Sequence, residues 1–95
     1  MMHSFASAQT QALFLSRSVR RFRNIERVAR RKLLELHAAT ELNSLRISPG
    51  NRLELLKADR KGQYSIRINE QWRVCFEWRG DGAWSVEIVG RPLKE

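Results

Sequence analysis

Two groups of basic side chains in this sequence have the chemistry to hold a phosphate backbone. In the second half, Arg67 and Arg73 alternate with apolar residues along two predicted strands. In the first half, eight cations and one anion, Glu26, lie between Arg17 and Lys32, a net charge of +7. Guanidinium and ammonium groups make charge-assisted hydrogen bonds to phosphate oxygens. Both groups therefore predict a polyanionic partner.

The charge of the whole chain supports the same prediction. The 95 residues include 18 Lys+Arg and 10 Asp+Glu, a formal net charge of +8. Outside residues 17–32 the net charge is only +1, so the surplus is concentrated in the first half. Such a surplus suits nucleic acid, an anionic membrane or an acidic protein. The alternative is an ordinary solvated helix face.

The sequence lacks the features of disulfide-bonded, metal-binding, membrane-spanning and secreted proteins. Cys75 is the only cysteine, and His3 and His37 are too far apart to form a metal motif. No apolar run approaches the ~20 residues that span a bilayer. The N-terminus lacks the pattern of a signal peptide. We expect a cytoplasmic protein with no cofactor, no metal and no membrane partner.

Hydrophobic periodicity predicts helices first and strands afterwards. Ser7 is expected to cap a short helix through Leu15, and Asn24 a longer helix to about Ala39, with Glu26 in its first turn. Strands are predicted over 52–57, 63–69, 72–78 and 83–89, with a hairpin turn at 80–82 and a short N-terminal strand at 3–5. Trp72, Val74, Phe76, Trp78, Trp84, Val86 and Ile88 are assigned to the apolar face.

This layout predicts a single α+β domain over residues 1–95. Two N-terminal helices should pack on one face of a curved antiparallel sheet of three to five strands. The other face is expected to be exposed and able to cradle a phosphate backbone. It would carry Gln63, Ser65, Arg67, Arg73 and Glu54.

Residues 49–76 resemble a known family. They read Pro-Gly-Asn-Arg-Leu-Glu-Leu-Leu-Lys-Ala-Asp-Arg-Lys-Gly-Gln-Tyr-Ser-Ile-Arg-Ile-Asn-Glu-Gln-Trp-Arg-Val-Cys-Phe. This block is similar to the HigB branch of the RelE/ParE toxin superfamily, also described as plasmid maintenance killer proteins. The match continues through Val-Glu-Ile-Val at 86–89 and, more loosely, into the N-terminal half.

The resemblance implies a RelE-like fold and a toxin of a type II toxin–antitoxin system. It implies metal-free cleavage of mRNA on the ribosome by attack of a ribose 2′-OH, without a cofactor. The implied partners are the ribosome, mRNA and a helix-turn-helix antitoxin of the HigA type. Operator DNA would be bound only through the antitoxin complex.

The resemblance also assigns site residues. Relatives place basic residues near the scissile phosphate at positions matching Lys57, Arg60, Arg67 and Arg73. We expect catalytic roles for Arg73, Lys57 and Glu54, and phosphate binding by Arg67, Arg60, Arg91 and Arg52. Glu54, which replaces a histidine of many relatives, could be a base or simply pair with Arg52 or Arg67. The surface for ribosome or antitoxin is expected to comprise Arg20, Arg21, Arg23, Arg27, Arg30 and Arg31.

The last residues depart from the family pattern. Relatives commonly end the final strand with Asp-Tyr-His, whereas residues 89–91 here are Val-Gly-Arg. Arg91 and Lys94 are poor proton donors at neutral pH. The chain could therefore cleave RNA weakly, act as an inactive module that binds antitoxin and ribosome, or carry an altered end. A gyrase-directed toxin of the ParE branch is a further alternative.

Overall fold

The computed structural model describes residues 1–90. It contains helices in the first half of the chain and strands in the second, as the sequence periodicity predicts. Helix α1 spans Ala8–Phe14 and α2 spans Glu26–Ala38. The strands are β1 (Glu54–Leu55), β2 (Tyr64–Arg67), β3 (Trp72–Arg79) and β4 (Gly82–Gly90). They pair antiparallel in the order β1-β2-β3-β4. The predicted α+β fold is confirmed.

The helices begin differently from one another. Ser7 caps α1, because its side-chain oxygen accepts a hydrogen bond from the Thr10 amide at 3.3 Å. The prediction that Asn24 caps α2 was wrong. Residues 20–25 form a 3₁₀ turn, and α2 begins at Glu26 without a side-chain cap. Since residues three apart eclipse in a 3₁₀ turn, this geometry buries Phe22 and Ile25 together.

One face of the sheet packs against the helices. Leu33 and Leu36 of α2 and Leu13 of α1 are fully buried there. They contact the inward side chains of the strands, as the apolar stripe predicted. The buried strand residues of this core are Ile66, Val74, Phe76, Ala83, Val86 and Ile88, and Ile68, just after β2, joins them.

A bulge in β4 changes the face of one tryptophan. Ser85 has φ +54°, and the register shifts between Cys75 and Glu77 of β3. An extra residue reverses the alternation, so Trp84 pairs with Glu77 on the face opposite the core. The prediction that Trp84 belongs to the apolar face was wrong. Its indole instead stacks on His3, with ring centroids 4.6 Å apart.

The N-terminal residues run beside β4. Met2 and Phe5 form isolated parallel bridges to Ala83 and Val86 rather than the predicted continuous strand. Gly82 leaves no room for a Cβ, because the His3 ring and the Met1 carbonyl occupy that space. The start of the chain is therefore packed against the last strand.

Thr10 fixes α1 to β4, and its hydroxyl can be tested. It is fully buried, and its Oγ1 accepts a hydrogen bond from the Ile88 amide at 3.0 Å. We expect Thr10→Val, which keeps the volume, to lower the free energy of unfolding by about 1–3 kcal/mol, because a buried amide loses its partner. Urea unfolding measures this. Gln11→Val, at an exposed position of the same helix, is the control, and an equal effect of both variants would contradict the assignment.

Candidate functional site

The strand register gathers three of the predicted site residues on the face away from the core. Arg67 and Arg73 are direct cross-strand partners, and Glu54 pairs with Ser65 of β2. Partners in register point to the same side of a sheet. Glu54, Ser65, Arg67 and Arg73 therefore share one face, which we call the polar face.

Arg73 lies at the centre of the polar face, but it is not exposed as expected. Only 2% of it is accessible. Its Nε donates to Ser65 Oγ at 2.7 Å, and its Nη2 donates to the Arg52 carbonyl at 2.7 Å. The same Nη2 lies 3.5 Å from Glu54 Oε2. The guanidinium is thus buried because neighbouring polar groups surround and satisfy it.

Glu54 is the acidic partner of this cation. Of the two outcomes foreseen for Glu54, a pairing is observed, although with Arg73 rather than with Arg52 or Arg67. Its side chain is 49% exposed. The carboxylate therefore lies between the buried guanidinium and solvent, where an incoming anion would meet it first.

The segment after β1 covers part of the polar face, which explains why the face is less open than predicted. Leu56, two residues beyond Glu54, is buried at 2%. Arg60 reaches Glu87 of β4 at 3.4 Å and Gln63 at 3.0 Å. Arg60, expected to bind phosphate, is therefore held in contacts within the protein and is half-buried.

Among the other predicted site cations, Lys57 and Arg52 are exposed and Arg67 is half-buried. Both exposed residues adjoin unusual backbone: Arg52 has φ +45°, and Ala58, after Lys57, has φ +52°. Left-handed backbone at non-glycine residues is rare and needs support from its surroundings. Lys57 also borders a groove of about 380 Å³ whose other lining residues are Leu55, Leu56, Ala58, Lys61 and Gly62.

The basic surface of the first half is smaller than the sequence implies. Lys32 is buried at 7%. Arg30 binds Glu26, the Leu13 carbonyl at 2.9 Å and the Arg17 carbonyl at 2.8 Å, so it joins α1 to α2. Five of the six predicted surface arginines are exposed. These five, which we call the helix arginines, are Arg20, Arg21, Arg23, Arg27 and Arg31.

Three of the helix arginines, Arg23, Arg27 and Arg31, line an open groove of about 630 Å³, and the other lining residues are Glu26, Arg30 and Leu34. Over residues 1–90, Arg20, Arg23, Arg27 and Arg31 form no ion pair within the chain. Their charge is available to a partner.

Sequence reasoning missed a buried polar cluster behind the polar face. Asn51 is fully buried and binds Lys32 and Glu35 of α2. Asn51 follows Pro-Gly in the sequence, which is typical of a solvated turn. No local pattern distinguishes it from such a turn residue.

Residues 1–90 contain no group of three His, Cys, Asp or Glu side chains that could hold a metal ion. None of their helices is long and apolar enough to cross a membrane. Arg91, predicted to bind phosphate, lies outside the described residues.

The burial of Arg73 predicts a role in stability. Arg73→Ala should lower the free energy of unfolding by about 2–4 kcal/mol, because Ser65 and the Arg52 carbonyl lose a buried partner. The half-buried neighbour Arg67→Ala should cost under about 1 kcal/mol. Chemical denaturation of both variants measures the difference, and equal losses would mean that the Arg73 contacts do not hold the face together.

Comparison with known proteins identifies the family. A family model described as the RelE-like toxin HigB of type II toxin–antitoxin systems matches residues 13–88. Toxin HigB-1 of Vibrio cholerae is 49% identical over 55 residues, 58% of this chain and 58% of that protein. An uncharacterized protein of Haemophilus influenzae is 38% identical over 58 residues, 61% of this chain and 57% of that protein. The alignments thus span less than two thirds of either relative. The resemblance found in the sequence is confirmed: the chain belongs to the HigB-like family of RelE-like toxins.

Proposed function

We propose that this chain is the toxin of a type II toxin–antitoxin pair and cleaves mRNA on the ribosome. The observation that carries the proposal is the Arg73 guanidinium, fixed by Ser65 and Arg52 beside the half-exposed carboxylate of Glu54. A cation held in advance can stabilise the charge that develops on a phosphate with little reorganisation. Family membership supports the toxin role, and RNA cleavage is the reaction that the sequence resemblance implies.

The reaction requires a base, cations and a proton for the leaving group. The ribose 2′-oxygen attacks the adjacent phosphorus, and the bond from phosphorus to the 5′-oxygen breaks. The products are a 2′,3′-cyclic phosphate and a 5′-hydroxyl. We assign removal of the 2′ proton to Glu54 and charge stabilisation to Arg73 and Lys57, while water protonates the leaving oxygen.

The Arg73–Glu54 pair gives this assignment a physical route. Arg73 is buried beneath a carboxylate that is 49% exposed. A phosphate oxygen can replace that carboxylate as the anionic partner, because both accept hydrogen bonds from a guanidinium. The exchange would bring phosphate to Arg73 and free Glu54 to accept a proton. Arg67, on the same face, and the exposed Arg52, whose carbonyl binds Arg73, would hold the flanking phosphates.

A second candidate is a binding module without catalytic activity. It is favoured by the same burial of Arg73, at 2% exposure, which makes the guanidinium a structural cation unless Glu54 moves. Such a chain would still bind antitoxin and ribosome through its basic surfaces.

The proposed partners follow from the charge distribution and from the family to which the chain belongs. The helix arginines suit ribosomal RNA, because exposed arginines bind phosphate groups without reading sequence. The antitoxin is proposed to be a helix-turn-helix protein of the HigA type, through which alone the toxin would contact operator DNA. Action on translating ribosomes would place the toxin in the cytoplasm, and we propose that it works as one domain.

Lys57 and Lys61 provide a matched test of cleavage. Both are exposed and line the same groove. Induced expression of the chain without antitoxin should arrest growth and truncate transcripts within coding regions. Lys57→Ala should reduce cleavage by about a hundredfold, since the substitution removes a positive charge that is proposed to stabilise the reacting phosphate. Lys61→Ala should cleave like the unmodified chain. Primer extension on a translated message locates the cuts, and intact messages with the unmodified chain would favour the binding module.

The helix arginines should determine the salt dependence of ribosome binding. Arg27→Gln with Arg31→Gln removes two phosphate contacts and should reduce the slope of log K against log salt by about 2. Binding to purified ribosomes is measured across roughly 50–200 mM salt. Arg46→Gln, an exposed arginine outside the cluster, should leave the slope unchanged. If the double variant also leaves it unchanged, this surface does not contact ribosomal RNA.

A further inference from the structure

Asn51 lies in the loop before β1 and binds two residues of the long helix α2. It is fully buried, and its side chain makes three hydrogen bonds. Its Oδ1 accepts from Lys32 Nζ at 2.5 Å. Its Nδ2 donates to Glu35 Oε1 at 2.6 Å and to the Leu45 carbonyl at 3.1 Å. The amide is therefore fixed in one orientation by groups on two different elements.

The partners of Asn51 in α2 are themselves firmly placed. Lys32 is buried at 7%, and its ammonium lies 3.9 Å from Glu35 Oε2. Burying a lysine is costly unless its charge is partnered. Asn51 and Glu35 together satisfy it. This arrangement ties the loop that contains Asn51 to a rigid helix.

The next residue transmits this placement to the polar face. Arg52 has φ +45° and ψ 57°, a left-handed conformation that an L-residue rarely adopts without support from its surroundings. Its amide is held by the Pro49 carbonyl at 3.2 Å. In this conformation the Arg52 carbonyl accepts the hydrogen bond of Arg73 Nη2 at 2.7 Å. The exposed side chain of Arg52 does not take part in that bond.

We propose that Asn51 is a positioning residue for Arg73. The amide side chain holds the loop against α2, the loop keeps Arg52 left-handed, and the Arg52 carbonyl fixes the guanidinium on the polar face. The proposal concerns the geometry of Arg73, and its consequence for RNA cleavage rests on the proposed function. It assigns the buried Lys32–Asn51–Glu35 cluster to the site rather than to the core alone.

The direct test follows the Nε–H of Arg73, which donates to the buried Ser65 hydroxyl. Its hydrogen exchange can be measured by NMR on arginine-labelled protein and assigned with Arg73→Lys. In Asn51→Ala we expect this exchange to be about tenfold faster, because the guanidinium loses a fixed acceptor. Arg30 Nε–H, which donates to the Leu13 carbonyl, should be unchanged and serves as the internal control.

Three outcomes would overturn the proposal. They are unchanged exchange at Arg73, equal acceleration at Arg73 and Arg30, or a matching acceleration in Asn43→Ala, at an exposed asparagine of the preceding turn. If Asn51→Ala does not fold, Asn51→Ser and Glu35→Gln repeat the measurement with smaller changes. The same three outcomes count against the proposal there.

Activity provides a second, separable readout. Asn51→Ala should lower the single-turnover rate of cleavage by up to about a hundredfold with RNA affinity nearly unchanged, since it displaces a catalytic group. In the Arg73→Lys background the same substitution should add little, because it acts through Arg73. Fully additive losses would contradict the proposal. If the unmodified chain cleaves no RNA, the proposed function fails, while the exchange experiment still decides the positioning role.

Discussion

A buried guanidinium imposes the strictest condition on this fold. Charge removed from water must find partners, and Arg73 finds them in a serine of the neighbouring strand, a backbone carbonyl and a carboxylate. Those requirements account for three otherwise unrelated features. They are the small residue at Ser65, the left-handed backbone at Arg52 and the acidic side chain at Glu54. The same contacts leave a cation beneath a replaceable anion, which is the feature that the proposed chemistry uses.

The positive charge of the chain is divided between two tasks. Lys32, Arg30, Arg60 and Arg73 bind groups within the protein and hold its layers together. The helix arginines are exposed, and four of them, all but Arg21, form no ion pair or ring contact within residues 1–90 and are available to a polyanion. A net charge of +8 therefore overstates the surface field. Arginine is suited to these internal contacts, because its side chain combines a long apolar stem, which packs against other residues, with a guanidinium that has several hydrogen-bond donors.

Much of the fold could be predicted from residue periodicity, because alternation and the hairpin glycine act locally. Alternation alone predicted that Arg67 and Arg73 share a face, and the register then makes them direct partners. The burial of Arg73 did not, since it depends on a covering segment more than ten residues earlier in the chain, from Arg52 to Arg60. The face of Trp84 was predicted wrongly for a different reason, because one bulged residue at Ser85 inverts the alternation of side chains along β4. Asn51 carried no signal, because a buried asparagine and a turn asparagine look alike in sequence.

Strand β4 has a further consequence for how the chain is made. The Ile88 amide and the Thr10 hydroxyl that joins it lie 78 positions apart, and Val89 pairs with Arg73. Non-local contacts of this kind form only after both segments exist. During translation, the apolar side of helix α1 therefore stays uncovered until β4 has been synthesised. The polar face is therefore completed only after β4 has left the exit tunnel, so Arg73 acquires its full set of neighbours late in synthesis.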